Sequence, residues 1–214
     1  MALHLLDHPL GRHYVTRLRD ETTRPEAFRV YCHRLTGLLL AEATRELPTR
    51  RVRVHTPLEE TEGEELSTDV VAVAVLRAGL GMLEAFTRQL PDVSIGYIGL
   101  ERDEETAEAR SYYCKLPPVE NRPVFVVDPM LATGGSAVRA VERVRGAGAT
   151  AIRFLCIVAA PEGVAAFEEA FPDIPVHAAA LDRELDPRKF IRPGLGDFGD
   201  RLYGTQISDA CINS

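Results

Sequence analysis

The chain has 214 residues, 45% of them hydrophobic and 27% charged, with a formal net charge of −7. That length suits one domain and supplies ample material for a buried core. The acidic balance argues against a broad nucleic-acid surface, which needs clustered Lys and Arg, but leaves room for a small basic pocket around a phosphorylated metabolite.

No run approaches the roughly 18 apolar residues expected of a membrane span. The start of the chain lacks a basic segment followed by an apolar core, so no signal peptide is expected. Cys32, Cys114, Cys156 and Cys211 are scattered without metal or redox spacing, and the six histidines lack ligand spacing. No protein metal site is expected, and a reducing cytoplasm is the simplest setting.

Residues 1–22 read as an extended arm with a short helix. Thr23 is expected to cap a long helix reaching about Leu47, with Pro25 in its first turn, where a missing N–H costs little. Phe28, Cys32, Leu35, Leu39 and Ala43 recur at helical spacing and predict its core face. Thr49–Thr56 alternates basic and apolar residues, as an edge strand does. Leu58–Asp69 is acidic and polar and reads as a surface loop.

From Asp69 the pattern alternates strand and helix. Strands are predicted at Val70–Leu76, Ser94–Leu100, Val124–Val127, Ala151–Ala160 and Val176–Leu181. Helices are predicted at Met82–Leu90, Ser136–Gly146 and Glu162–Phe171. Continuously apolar strands separated by helices imply an α/β fold, a parallel sheet covered on both faces. Ligands in such sheets collect at the carboxyl ends of the strands. Two segments break the pattern. Glu101–Pro118 is long and charged and reads as a flexible lid-like loop, and Asp182–Thr205 reads as a cap over the site.

Val124–Ser136, reading VFVVDPMLATGGS, carries the most chemistry. A buried strand ends at Asp128, a loop with Thr133-Gly134-Gly135 follows, and Ser136 opens a helix. Glycines let the backbone approach an anion, and a helix start supplies unpaired N–H donors and a favourable dipole. No lysine completes a Walker-type loop and no dinucleotide fingerprint is present. Ala132–Ser136 therefore reads as a monophosphate cradle. Asp128 beside it suits a sugar hydroxyl or a metal-bound polyphosphate.

Asp128–Ser136 resembles the phosphoribosyl-diphosphate loop of uracil phosphoribosyltransferases. The resemblance runs through nearly the whole chain: Asp7–Leu10, Leu76–Met82, Tyr112–Pro117, Ala159–Gly163, Pro193–Asp197 and Asp200–Thr205. It implies a phosphoribosyltransferase-type α/β fold in a single domain, with a flexible loop at about 101–118 and a C-terminal hood at about 182–205. The implied reaction moves the phosphoribosyl group of 5-phosphoribosyl diphosphate (PRPP) to N1 of uracil. The products are uridine monophosphate (UMP) and diphosphate.

The resemblance also assigns roles. Arg77, Arg102, Asp128, Pro129, Met130, Leu131, Ala132, Thr133, Gly134, Gly135, Ser136 and Asp197 are implied to bind PRPP. Asp128, Arg102 and Asp197 are implied to be catalytic, and Ile191, Gly196, Asp197 and Phe198 to hold uracil. Mg2+ is expected to ride mainly on the diphosphate, and a homodimer or higher homo-oligomer is expected, with no nucleic-acid or membrane partner. The hood departs from the family at Lys189-Phe190-Ile191, Arg192 and Phe198, and the loop at Glu101 and Arg110-Ser111. Those changes leave two alternatives to uracil transfer: another acceptor base, or a non-catalytic PRPP sensor.

Overall fold

The computed structural model describes residues 3–102 and 109–205. Expectations for residues 103–108 and for the tail 206–214 lie outside the described residues, as do the side chains of Glu101, Arg102, Arg110 and Ser111. The elements run β1 (Leu3–Leu5), α1 (Pro9–Arg19), α2 (Pro25–Ala43), β2 (Thr49–His55), β3 (Glu60–Leu66), β4 (Val71–Leu76), α3 (Leu80–Gln89) and β5 (Ser94–Arg102). They continue with β6 (Ala109–Lys115), β7 (Pro123–Val127), β8 (Met130–Leu131), α4 (Gly135–Gly146), β9 (Ala151–Ala159), α5 (Pro161–Ala170) and β10 (Val176–Leu181). A small hairpin, β11 (Glu184–Leu185) and β12 (Ile191–Arg192), and α6 (Phe198–Tyr203) complete the chain.

The main sheet has the order β1-β10-β9-β7-β4-β5-β6, with β8 added against β9. It is parallel except for β6, which runs antiparallel to β5. The apolar strands feed two cores because successive side chains point to opposite faces. Ala72, Ala74, Phe125 and Val127 join Phe28, Cys32, Leu35, Leu39 and Phe86 under α2 and α3. Val71, Val73, Val75, Val124 and Val126 join Val141, Val144 and Phe167 under α4 and α5. Two covered faces explain why these strands show no polar alternation.

Three expectations change. Thr23 does not cap α2: Arg24 holds that position without a side-chain bond, and the Thr23 hydroxyl donates to the Arg17 carbonyl at 2.6 Å. The helix also stops at Ala43, where the Thr44 hydroxyl donates back to the Leu40 carbonyl at 2.7 Å. Leu58–Asp69 is not all loop, because β3 pairs antiparallel with β2 as a separate two-stranded hairpin. Arg50 meets Glu65 at 3.4 Å, Arg51 meets Glu62 at 3.5 Å and Arg53 meets Glu60 at 3.4 Å. Opposite charges across the strands favour a pairing that glutamate's weak strand preference hides. Lastly, the segment expected as loop from Glu101 contains the end of β5 and all of β6. Tyr112 and Tyr113 stay exposed there because an edge strand needs little burial to pair.

Candidate active site

The strand order reverses between β4 and β7: the chain leaves β4 for β5 on one side, then returns to lay β7 on the other. Such a switch point opens a crevice at the carboxyl ends of the two strands. Val127 pairs with Ala74 in register. Asp128 lies one residue beyond Val127, and Arg77 three beyond Ala74. Gly79 keeps the two turns together, since a Cβ there would lie 2.5 Å from the Val127 carbonyl oxygen and 2.6 Å from that of Val75. Arg77 is exposed and forms no ion pair among the described residues. Its carbonyl accepts the Tyr203 hydroxyl at 3.2 Å. The Leu76–Arg77 peptide is cis.

Asp128 is 9% exposed. Its carboxylate accepts the Met130 N–H at 3.3 Å, and its own N–H donates to the Leu155 carbonyl at 3.2 Å. Burial raises its pKa from 3.8 to about 7, against a small lowering by the Met130 bond. An acid so placed needs an external donor set to favour its charged form.

The next residues divide by role. The Pro129 carbonyl accepts from Ile157 and Val158, Met130 and Leu131 pair with β9, and Leu131 is a core residue. Pro129, Met130 and Leu131 thus anchor the loop, and their side chains offer no polar group to a sugar phosphate. The open donors come after them. Gly134 is the α4 N-cap with φ 85°, no side chain caps the helix, and the Val138 N–H is the first to bond back, to the Gly134 carbonyl. The N–H groups of Gly135, Ser136 and Ala137 are the unsatisfied donors of a helix start. Ala132, Thr133 and Ser136 are half-buried around them. Gly134 must be small as well as left-handed: a Cβ would lie 3.0 Å from the Gly163 carbonyl oxygen.

The hood stands across a cavity of about 470 Å³ lined by Thr133, Glu162, Leu185, Asp186, Pro187 and Lys189. Glu162 accepts the Leu185 N–H at 2.9 Å, which ties α5 to the hood hairpin. Ile191 is buried. Gly196 has φ 79°, and a Cβ there would approach nothing nearer than 3.5 Å. Asp197 is exposed and caps α6, accepting the Asp200 N–H at 2.9 Å. Arg102 closes β5, paired in register with Ala109.

The altered hood residues resolve individually. Arg192 pairs with Asp186 at 2.8 Å inside the hairpin. Phe190 is 46% exposed, with the Arg188 guanidinium over its ring at 5.8 Å. Phe198 is 2% exposed and meets Phe28 edge-on at 5.1 Å, so its ring is a core element. Phe198→Ala is therefore expected to lower stability by about 3–5 kcal/mol with no gain in uracil use. A denaturant melt paired with uracil KM checks this.

Sequence reasoning missed Arg19 and Asp182, which meet through a bidentate ion pair beneath the hood. Their 163-residue separation leaves no local pattern to find them. Among the described residues, no group of three or more His, Cys, Asp and Glu could hold a metal ion, and no helix is long and apolar enough to cross a membrane.

The family model described as uracil phosphoribosyltransferase matches residues 5–205. The uracil phosphoribosyltransferase of Dictyoglomus turgidum is 47% identical over 204 residues, covering 94% of this chain and 99% of that one. The Salinibacter ruber enzyme of the same name is 46% identical over 205 residues, covering 95% and 98%. The solved AQ2163 protein from Aquifex aeolicus superposes with a TM-score of 0.91 at 33% identity, covering 97% of this chain and all of that one. An adenine phosphoribosyl transferase from Trypanosoma brucei shares the fold at a TM-score of 0.55 and 14% identity, over 84% and 82% of the two chains. Matched from residue 5 to residue 205, through β4, β7, the cradle and the hood alike, the chain belongs to the uracil phosphoribosyltransferase family.

Proposed function

We propose that this protein transfers the phosphoribosyl group of PRPP to N1 of uracil, giving UMP and diphosphate. The observation that carries the reading is the juxtaposition of Asp128, the uncapped cradle and Arg77 at the β4/β7 switch point. Ala132–Ser136 takes the 5-phosphate on backbone N–H groups and hydroxyls. Asp128 accepts the ribose hydroxyls, and Arg77, with Arg102, takes the diphosphate through paired N–H donors. The hood turn around Ile191, Gly196 and the Phe198 main chain reads the base, with Asp197 at the diphosphate side.

No enzyme nucleophile is needed. N1 of uracil forms the new bond to the anomeric carbon as the bond to the diphosphate oxygen breaks; the electron pair leaves with the diphosphate, and the N1 proton is lost to the departing diphosphate. The chain contributes alignment and stabilisation of the leaving anion. Mg2+ would ride on the diphosphate, on the side of Asp197, and would neutralise its charge there.

A homo-oligomer belongs to this reading. The β2–β3 hairpin stands outside the main sheet with only Val52 and Gly63 half-buried, and Leu58 at its tip is 94% exposed. A lone two-stranded hairpin is marginal without a covering surface, which a second copy supplies. A cytoplasmic setting also belongs to it, and the free thiols Cys32, Cys114 and Cys156 suit a reducing compartment.

The test is turnover of radiolabelled uracil with PRPP and Mg2+, beside a panel of other bases. UMP formation from uracil in preference to the other bases is the expected result. Turnover of another base alone, or tight PRPP binding with no turnover of any base, overturns it.

A further inference from the structure

The base-side turn of the hood is gripped from below by the N-terminal arm. Asp182 follows β10 directly, and its N–H donates to the Ala159 carbonyl at 2.8 Å, which fixes it to the end of the sheet. Its side chain is 3% exposed, against 25% for Arg19 at the end of α1. The Arg19 guanidinium donates to both Asp182 oxygens, at 2.5 and 2.8 Å. The same Arg19 also donates to the Gly194 carbonyl at 2.8 Å, while the Gly194 N–H donates to Asp182 at 2.8 Å. Both main-chain groups of Gly194 are thereby held by one ion pair. Gly194 has φ 63°, and a Cβ there would lie 2.2 Å from the Ile191 carbonyl oxygen, so the turn closes tightly on Ile191.

A second arginine repeats the grip one residue later. Arg201 donates to the carbonyls of Leu195 at 2.7 Å and Asp20 at 2.5 Å, and to that of Leu18. Its guanidinium lies over the Phe28 ring at 4.6 Å, and that ring meets Phe198. Buried ion pairs are weak stability devices, because desolvation offsets much of the attraction. What a fully satisfied bidentate pair does supply is geometry. Here the geometry is delivered to Gly194–Asp197, the turn that carries the main-chain groups offered to the base.

We propose that Arg19 and Asp182 are positioning residues for the acceptor base, locking turn 193–197 to α1 so that the N-terminal arm sets the affinity for uracil. The proposal deepens the uracil-transfer reading and rests on it. The β4 and β7 turns, which carry Arg77, Asp128 and the loop to Ser136, make none of these contacts, so the clamp reaches the PRPP side only through Asp197 and acts mainly on the base.

The test is steady-state kinetics on Arg19→Gln, Arg19→Lys, Asp182→Ala and Asp182→Asn beside the wild type, with hydrogen exchange followed at residues 194–197. Arg19→Gln is expected to raise uracil KM by about tenfold or more, because a small displacement of a reading group is costly, with PRPP KM and kcat changed by a distinctly smaller factor, transmitted through Asp197 alone. Arg19→Lys, a point donor without the fork, is expected to fall between. Asp182→Asn keeps an acceptor for Gly194 and is expected to lose less than Asp182→Ala. Amide exchange at residues 194–197 is expected to quicken in the order of the KM changes. Where the wild type turns over uracil, an unchanged uracil KM in Arg19→Gln overturns the clamp alone, as does equal loss toward both substrates. No uracil turnover by the wild type overturns both readings. If Arg19→Gln loses its cooperative melt, the same criteria are applied to Arg19→Lys.

Discussion

Asp128→Asn is expected to lower kcat/KM for PRPP by about a hundred- to a thousandfold. Hydrogen bonds to a charged acceptor are worth about 1.5–3 kcal/mol each, and each 1.4 kcal/mol is tenfold in rate. The carboxylate can take both ribose hydroxyls, whereas the amide offers a single acceptor oxygen. Asp128 is buried, so water cannot replace the lost partner. With a pKa raised to about 7 by desolvation, only part of the free enzyme carries the ionised acceptor near neutrality. Wild-type kcat/KM for PRPP should therefore rise with pH through about 7, since that parameter reports the free enzyme's groups. The same limb should be absent in Asp128→Asn, which separates it from titration of PRPP itself. Stability runs the other way. The folded pKa lies above the unfolded value of 3.8, so the folded state holds this proton more tightly. Its contribution to stability is complete below about pH 3.8 and is lost as pH rises through 7. Asp128→Asn is expected to melt above the wild type at pH 8, with the gap closing as pH falls toward 4. Equal melting temperatures at pH 8 would sink the buried-carboxylate account.

Gly79→Ala is expected to cost about 3 kcal/mol of stability, through overpacking against backbone that cannot rotate aside. The new Cβ would lie 2.5 Å from the Val127 carbonyl oxygen and 2.6 and 2.8 Å from the carbonyl oxygen and nitrogen of Val75. For a chain of this size that is a fall of about 6–12 °C in melting temperature. The effect on activity is expected to exceed the effect on stability. The contact sits where the Arg77 turn leans on the strand end that carries Asp128, so relief of the clash moves these two residues, the proposed diphosphate and ribose contacts, apart. Calorimetry together with PRPP KM, measured well below the lowered melting point, checks both. A variant with wild-type PRPP KM would show that the two turns are positioned independently.

The cradle and the core strands could be read locally because their signals are local. Apolar continuity over Val71–Val75 and Val124–Val127 reports strands covered on both faces, and Gly134-Gly135 at a strand-to-helix turn reports backbone donors left open. Phe198 shows the opposite case. From sequence the Phe198 departure has no assigned direction, into the hood or away from it, until Phe28, far away in the chain, is seen to receive its ring. Likewise Arg192 reads as a foreign charge until Asp186 across the hairpin turn takes it. The β3 strand was hidden for the same reason: four glutamates in seven residues look like solvent-exposed loop, and only Arg50, Arg51 and Arg53 on the neighbouring strand make pairing favourable.

The sequence by itself determined the α/β alternation, the glycine-rich strand-to-helix turn that follows Asp128, and membership of the family, because each is written in contiguous residues whose period or composition is set by their own backbone. The tertiary structure alone decided where the departures in the hood point, that the arginine-rich segment after α2 forms a hairpin off the main sheet, and that α1 grips turn 193–197 through Arg19 and Asp182. Those outcomes depend on pairs far apart in the chain. Whether a ring or a charge is buried is fixed by the partner that meets it, and a linear pattern carries no record of that partner.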